Sequence, residues 1–162
     1  MKAIFSSFLI TLCIMAAAQQ KINITDFKPL EGKWKGSLTY LDYKSNQPTT
    51  IPVNTMVETV NDSSFNQYMY YSDEPDKNSG DLYKINKEGT MLNEMKLVSK
   101  TKQADGSVKI VLEYKGPDGN DYKPGTMQRI MEISPGRFVI TKMVKFDGED
   151  TFFQRHQYSF RR

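Results

Sequence analysis

From Trp34 onward the chain repeats one device, a short segment with a side-chain period of two followed by a tight polar turn. Successive side chains of a strand leave opposite faces, so this alternation is the pattern of a half-buried strand. Over Trp34 to Tyr43, Trp34, Gly36, Leu38 and Tyr40 share one face, and Lys35, Ser37 and Thr39 share the other. Val53, Thr55 and Val57 mark a second strand over Ile51 to Asn61. Phe65, Met69 and Tyr71 mark a third over Ser64 to Ser72. A polar loop, Asp73 to Gly80, precedes a short strand at Leu82 to Asn86 and a longer one at Met91 to Thr101. Asp105-Gly106 is a favoured hairpin corner and leads into Val108 to Tyr114. Gly116-Pro117-Asp118-Gly119-Asn120, Pro135-Gly136 and Asp147-Gly148-Glu149 are the later turns. They delimit strands at Thr126 to Ile133, Arg137 to Phe146 and Thr151 to Phe160.

About nine strands result, and no segment longer than a turn or two has a helical period. Sequential strands with tight connections predict an antiparallel meander. An open sheet of this size leaves two exposed edges, and closing it removes them. The expected fold is all-β, an up-and-down meander barrel of about 8–10 strands. A two-sheet sandwich is the alternative, and its crossovers need longer connections. Before the strands, Thr25 or Asp26 is placed to cap a single helical turn containing Phe27, with Pro29 ending it.

The first residues read differently. Lys2 supplies a positive start, Ala3 to Met15 is mostly apolar, and Ala16-Ala17-Ala18 offers small residues for cleavage. Residues 1–18 are therefore expected to be a secretory signal peptide and residues 19–162 a single domain, exported to the periplasm or the exterior. The apolar run is short for a transmembrane helix. Cys13 is the single cysteine and falls in the signal, behind Thr11-Leu12, where lipidation would need small residues. The mature chain then has neither disulfide nor thiol chemistry. The formal charge of +3 drops to +2 when Lys2 leaves. The charges are interspersed, so nucleic acid is not an expected partner.

Gly32-Lys33-Trp34 opens the first strand, and Trp34 is the one tryptophan. This Gly-x-Trp placement, after a signal and a helical turn and before a meander, resembles the calycin superfamily, which includes lipocalins, fatty-acid-binding proteins and small bacterial barrels. The resemblance implies that Trp34 packs across the barrel floor beside Gly32, with a late arginine over its ring. Arg155, Arg161 or Arg162 could play that part, and Arg161 is taken as the floor residue. Such a contact is a cation–π stack that caps an apolar plug. Gly32-x-Trp34-x-Gly36 also looks like the start of the nitrobindin-type haem barrels, in which a late histidine ligates iron. The one histidine of this chain is His156.

His156 alternates with Phe152, Gln154, Tyr158 and Phe160, and this more apolar face is expected to point inward. An inward histidine can satisfy a neighbour, contact a polar ligand or bind haem iron. Arg129 lies between Met127 and Met131 on one face, and Lys142 shares a face with Phe138, Ile140 and Val144. If those faces point in, two cations lie in a hydrophobic lumen and need partners. Asp42, Glu132 or a ligand carboxylate would serve, as in the fatty-acid-binding relatives of the resemblance. A one-residue bulge would instead turn Arg129 outward. The candidate ligand residues are thus Arg129, Lys142, His156, Tyr40, Met131 and Tyr158. Aromatic and methionine side chains can either line a cavity or fill the barrel.

No catalytic constellation emerges. There is no Gly-x-Ser-x-Gly and no His-Glu-x-x-His, and one histidine without cysteine disfavours zinc. The acidic loop at Asp73 to Asp81 fails the calcium-loop spacing. The expectation is a non-enzymatic, monomeric exported barrel without a cofactor, binding a small hydrophobic or amphipathic ligand, one with an anionic end included. The alternatives are a barrel acting through its surface, as an inhibitor or envelope assembly partner, and a haem barrel using His156.

Overall fold

The computed structural model describes residues 20–42, 45 and 47–162; the expected signal, residues 1–18, and Tyr43 at the end of the first expected strand lie outside them. The chain enters through a short helix, α1 (Ile24–Phe27). Its cap is Asn23, not Thr25 or Asp26. The Asn23 side chain accepts from the Thr25 N–H at 3.0 Å, and the Asp26 carboxylate accepts from the Asn23 N–H at 2.9 Å. Pro29 does not end this segment but sits inside a following 3-10 turn, Lys28–Leu30. Ile22, Ile24, Phe27 and Leu30 are buried, and Phe27 stacks on Phe65 at 4.9 Å. So short a helix is not stable by itself, and its apolar face is held by this packing.

Ten antiparallel strands follow: β1 (Gly32–Leu41), β2 (Pro48–Asn61), β3 (Ser64–Tyr71), β4 (Ser79–Lys84), β5 (Met91–Leu92), β6 (Met95–Lys102), β7 (Val108–Asp118), β8 (Lys123–Ser134), β9 (Arg137–Phe146) and β10 (Phe153–Arg161). The sheet order is β4-β3-β2-β1-β10-β9-β8-β7-β6-β5. Each neighbouring pair is consecutive in sequence except β1 and β10, which join the two halves of the meander. The free sides, β4 and β5, meet through one bridge, Ile85 to Leu92. The fold is the expected up-and-down barrel, nearly closed.

The strand count differs from nine because Met91 to Thr101 is broken. Asn93, at φ 52°, turns the chain between β5 and β6. Asparagine tolerates this left-handed conformation better than most residues. The loop expected at Asp73 to Gly80 is also shorter, since β4 begins at Ser79 and Pro75–Lys77 forms a 3-10 turn. The Gly-Pro-Asp segment expected as a turn instead extends β7 through Asp118.

The floor gathers Trp34, Val53, Phe65, Ile133, Phe138 and Phe160, all nearly inaccessible. Trp34 meets Phe138 edge to face at 5.5 Å, and its indole N–H donates to the Leu30 carbonyl at 2.6 Å. That bond ties the helical segment to the barrel. The arginine over the indole is Arg162, with its guanidinium carbon 4.3 Å from the ring centroid, rather than Arg161. Arg162 also donates to the carbonyls of Pro29 and Glu31. Arg161 is exposed, opposite Lys35 on the outer wall. Gly36 permits the closest approach in the β1–β10 seam, because a Cβ there would collide with the Ser159 carbonyl and the Phe160 ring.

Candidate functional site

Strand register assembles the polar interior. Arg129 on β8 pairs with Lys142 on β9, Lys142 with His156 on β10, and His156 with Tyr40 on β1. Directly opposed residues of an antiparallel pair share a face, with Cβ atoms about 4.5–5.5 Å apart. The four side chains therefore form one belt across four strands, above the apolar floor. Like charges directly opposed are destabilising, so Arg129 beside Lys142 costs the barrel stability.

The belt borders a cavity of about 230 Å³ that contains Arg129, Lys142, His156 and Tyr158 among its lining, with Gln67, Tyr71, Tyr83 and Met95 on the facing wall. Tyr40 lines a neighbouring hollow with Leu38, Ile51 and Arg155, and His156 and Tyr71 border both. Met131 does not reach either. It is fully buried in the core beneath, opposite Ile110 and Ile140.

The partner of Lys142 is neither Asp42 nor Glu132. Glu132 pairs with Lys109 on the outer wall at 3.2 Å. Lys142 instead bonds Asp118 Oδ1 at 2.5 Å, and Arg155 Nε bonds Asp118 Oδ2 at 2.8 Å. Burial alone would raise the Asp118 pKa, but the hydrogen bonds and charges of Lys142 and Arg155 outweigh it and hold the carboxyl below its usual range. Arg155 reaches inward because the β9–β10 register shifts between Gln154 and His156. A bulge re-aims a side chain in this way. Simple alternation along β10 places Arg155 on the other face from His156.

Arg129 is different. Its guanidinium lies over the Tyr83 ring at 4.9 Å, and Nη2 makes a long 3.5 Å contact to Gln67 Oε1. Among the described residues its buried Nε has no hydrogen-bond partner, and no carboxylate lies within ion-pair distance. Gln67 is itself fixed, donating to Thr55 Oγ1 at 3.3 Å. An unpaired buried donor on a charged group forfeits the hydration it had in water.

His156 packs edge to face on Tyr158 at 5.3 Å. Burial, reinforced by the charges of Lys142 and Arg129, pushes its pKa down to about 4, so the ring is neutral at pH 7. Tyr158 shares a 2.8 Å hydrogen bond with Tyr71, and burial followed by that bond pushes its pKa up. The site thus presents one uncommitted cation, one cation pair bridged by a carboxylate, and neutral imidazole and phenol groups. This chemistry suits an anion or a strong acceptor.

A roomier hollow of about 830 Å³ lies on the outer wall, beside Lys33, Met56, Tyr70 and Arg161. Outward side chains make up most of its border, and buried Trp34 and Thr55 also line it. Among the described residues no group of three histidine, cysteine, aspartate or glutamate side chains is placed to hold a metal ion, and no helix is long and apolar enough to cross a membrane.

Fold and site together define a nearly closed antiparallel barrel with a cationic interior belt. No protein-family model matches the chain, and no curated protein matches it. Among solved structures, the chain is similar to Rv2717c from M. tuberculosis, with a TM-score of 0.57 and 10% identity over 86% of this chain and 96% of that one. At that identity the match is one of fold. A point mutant of the fluorescent protein UnaG aligns with a TM-score of 0.45 and 11% identity over 84% of this chain and 97% of that one.

Proposed function

We infer that the interior cavity binds a small amphipathic acid, its anionic group at Arg129 and its apolar part against Met69, Ile140 and Tyr158. The observation carrying this reading is the Arg129 guanidinium, bordering a cavity with a buried Nε that none of the described residues satisfies. An anion would supply the missing acceptor and relieve the repulsion with Lys142. Lys142 is committed to Asp118 and assists through its charge. The protein is read as a binding barrel of the calycin kind rather than an enzyme, and as exported if residues 1–18 act as the signal their pattern implies.

Calorimetric titration with hexanoate and hexyl phosphate tests the reading. The wild type is expected to bind at least one of them. Arg129→Gln should weaken that binding about tenfold or more, because a charge-assisted hydrogen bond contributes about 1.5–3 kcal/mol. Equal affinity in wild type and variant would overturn it.

A further inference from the structure

The barrel wall has a notch, and it opens onto Arg129. Pairing between β6 and β7 ends at Lys96–Glu113, so β7 above Glu113 has no β6 neighbour. On the other side of the opening, β4 pairs with β3 alone, apart from the bridge at its lower end. The Asn93-Glu94 turn forms the sill. Asn93 fastens it there, its backbone N–H donating to Lys84 O at 2.7 Å and its side chain accepting from Lys84 N at 2.7 Å. The resulting hollow is about 790 Å³, against about 230 Å³ inside the barrel. The two adjoin, with Asp81, Tyr83, Met95, Tyr114 and Arg129 in the lining of both.

The two compartments differ in chemistry. The inner one is small and ends on Met69, Ile140 and Tyr158. Asp81, Lys84, Glu94 and Lys115 edge the notch, two acids and two lysines. That lining is charge-balanced and rich in hydrogen-bonding groups, while Tyr83 and Tyr114 supply flat apolar faces. Such a surface suits a neutral, hydroxyl-bearing group.

We propose that the ligand is held through the wall, as an amphiphile whose acidic group is internal rather than terminal. A short apolar end occupies the cavity, a monoanion sits at Arg129, and a neutral polyol head lies in the notch. This assignment rests on the reading of Arg129 as the anion anchor. It adds that the molecule extends beyond the cavity, on the β4–β7 side.

Two phosphodiesters of equal charge separate the claims, methyl hexyl phosphate and hexyl phosphoglycerol, titrated calorimetrically into the whole protein. The glycerol ester is expected to bind at least fivefold more tightly. Glu94→Trp, which adds bulk at a residue that borders the notch and not the cavity, should abolish that advantage. Its affinity for methyl hexyl phosphate should stay unchanged, which also certifies the fold of the variant. Equal affinity of the wild type for both esters, or an advantage that survives Glu94→Trp, overturns the notch assignment and leaves the cavity reading intact. Failure of both esters to bind, or binding of both unaffected by Arg129→Gln, overturns the anchor reading and the notch with it.

Discussion

A single residue shows how the interior is tuned. His156 is surrounded by Lys142, Arg129, Asp118 and Arg155, and burial is the largest influence on it. Its pKa falls to about 4 from an ordinary 6.5. Between those values the unfolded chain takes up a proton that the folded chain refuses, so stability declines as pH falls through this window. Asp118 titrates below its ordinary 3.8 and contributes to a later, more acidic loss. Urea denaturation at pH 7 and pH 4.5 should therefore show wild type losing roughly 1–3 kcal/mol more than His156→Gln. An equal loss in both proteins would mean that His156 does not carry the depressed pKa. The Arg129–Lys142 opposition is a second residue-scale cost, and the site retains it with only one of the two cations paired.

Elements place these residues. The bulge in β10 converts a strictly alternating strand into one that sends both Arg155 and His156 toward the upper interior. The break at Asn93 ends β5 and starts β6, leaving the notch above it. Asn93 both adopts the left-handed conformation and bonds β4 with its side chain. Asn93→Gly keeps the first property and removes the second. Hydrogen exchange at the Lys84 amide is expected to rise at least tenfold in that variant, while amides in the β8–β9 ladder stay unchanged. Unaltered protection at Lys84 would show that the side-chain clip does not hold the sill. Protection follows local opening, so the contrast between the two regions is the informative readout.

The whole molecule is stapled at its floor, where the helical segment meets the last strand. Trp34 joins that segment through Leu30, the β9–β10 side through Phe138, and the last residue through Arg162. Trp34→Ala should cost roughly 3–5 kcal/mol in equilibrium denaturation, as large aromatic truncations in cores do. A cost below about 1 kcal/mol would place Trp34 outside the core. The upper half lacks this redundancy. There the barrel is notched and polar, with partly buried cations set beside its ring contacts. Stability concentrated at the floor leaves the upper half free to carry groups chosen for binding.

Local sequence determined the strand alternation and the tight turns, because period two and turn chemistry are short-range properties, but it left the inward parity of Arg129 and Lys142 as one of two readings that strand pairing had to decide. The Trp34 floor was legible through the resemblance carried by Gly32-x-Trp34 at the start of the first strand. What the sequence left open depended on distant partners. Arg162 rather than Arg161 covers Trp34 because Arg161 still belongs to β10 and stands opposite Lys35 on the outer face. Asp118 looked like part of a Gly-Pro-Asp-Gly turn, yet β7 carries it upward to meet Lys142 and Arg155, 24 and 37 residues away. The bulge that turns Arg155 inward leaves no mark in the alternation around it. The notch exists only because β6 begins too low to cover β7. Register, bulges and unmatched strand lengths are settled when strands pair across the barrel, and those pairings decided which cation remained uncommitted.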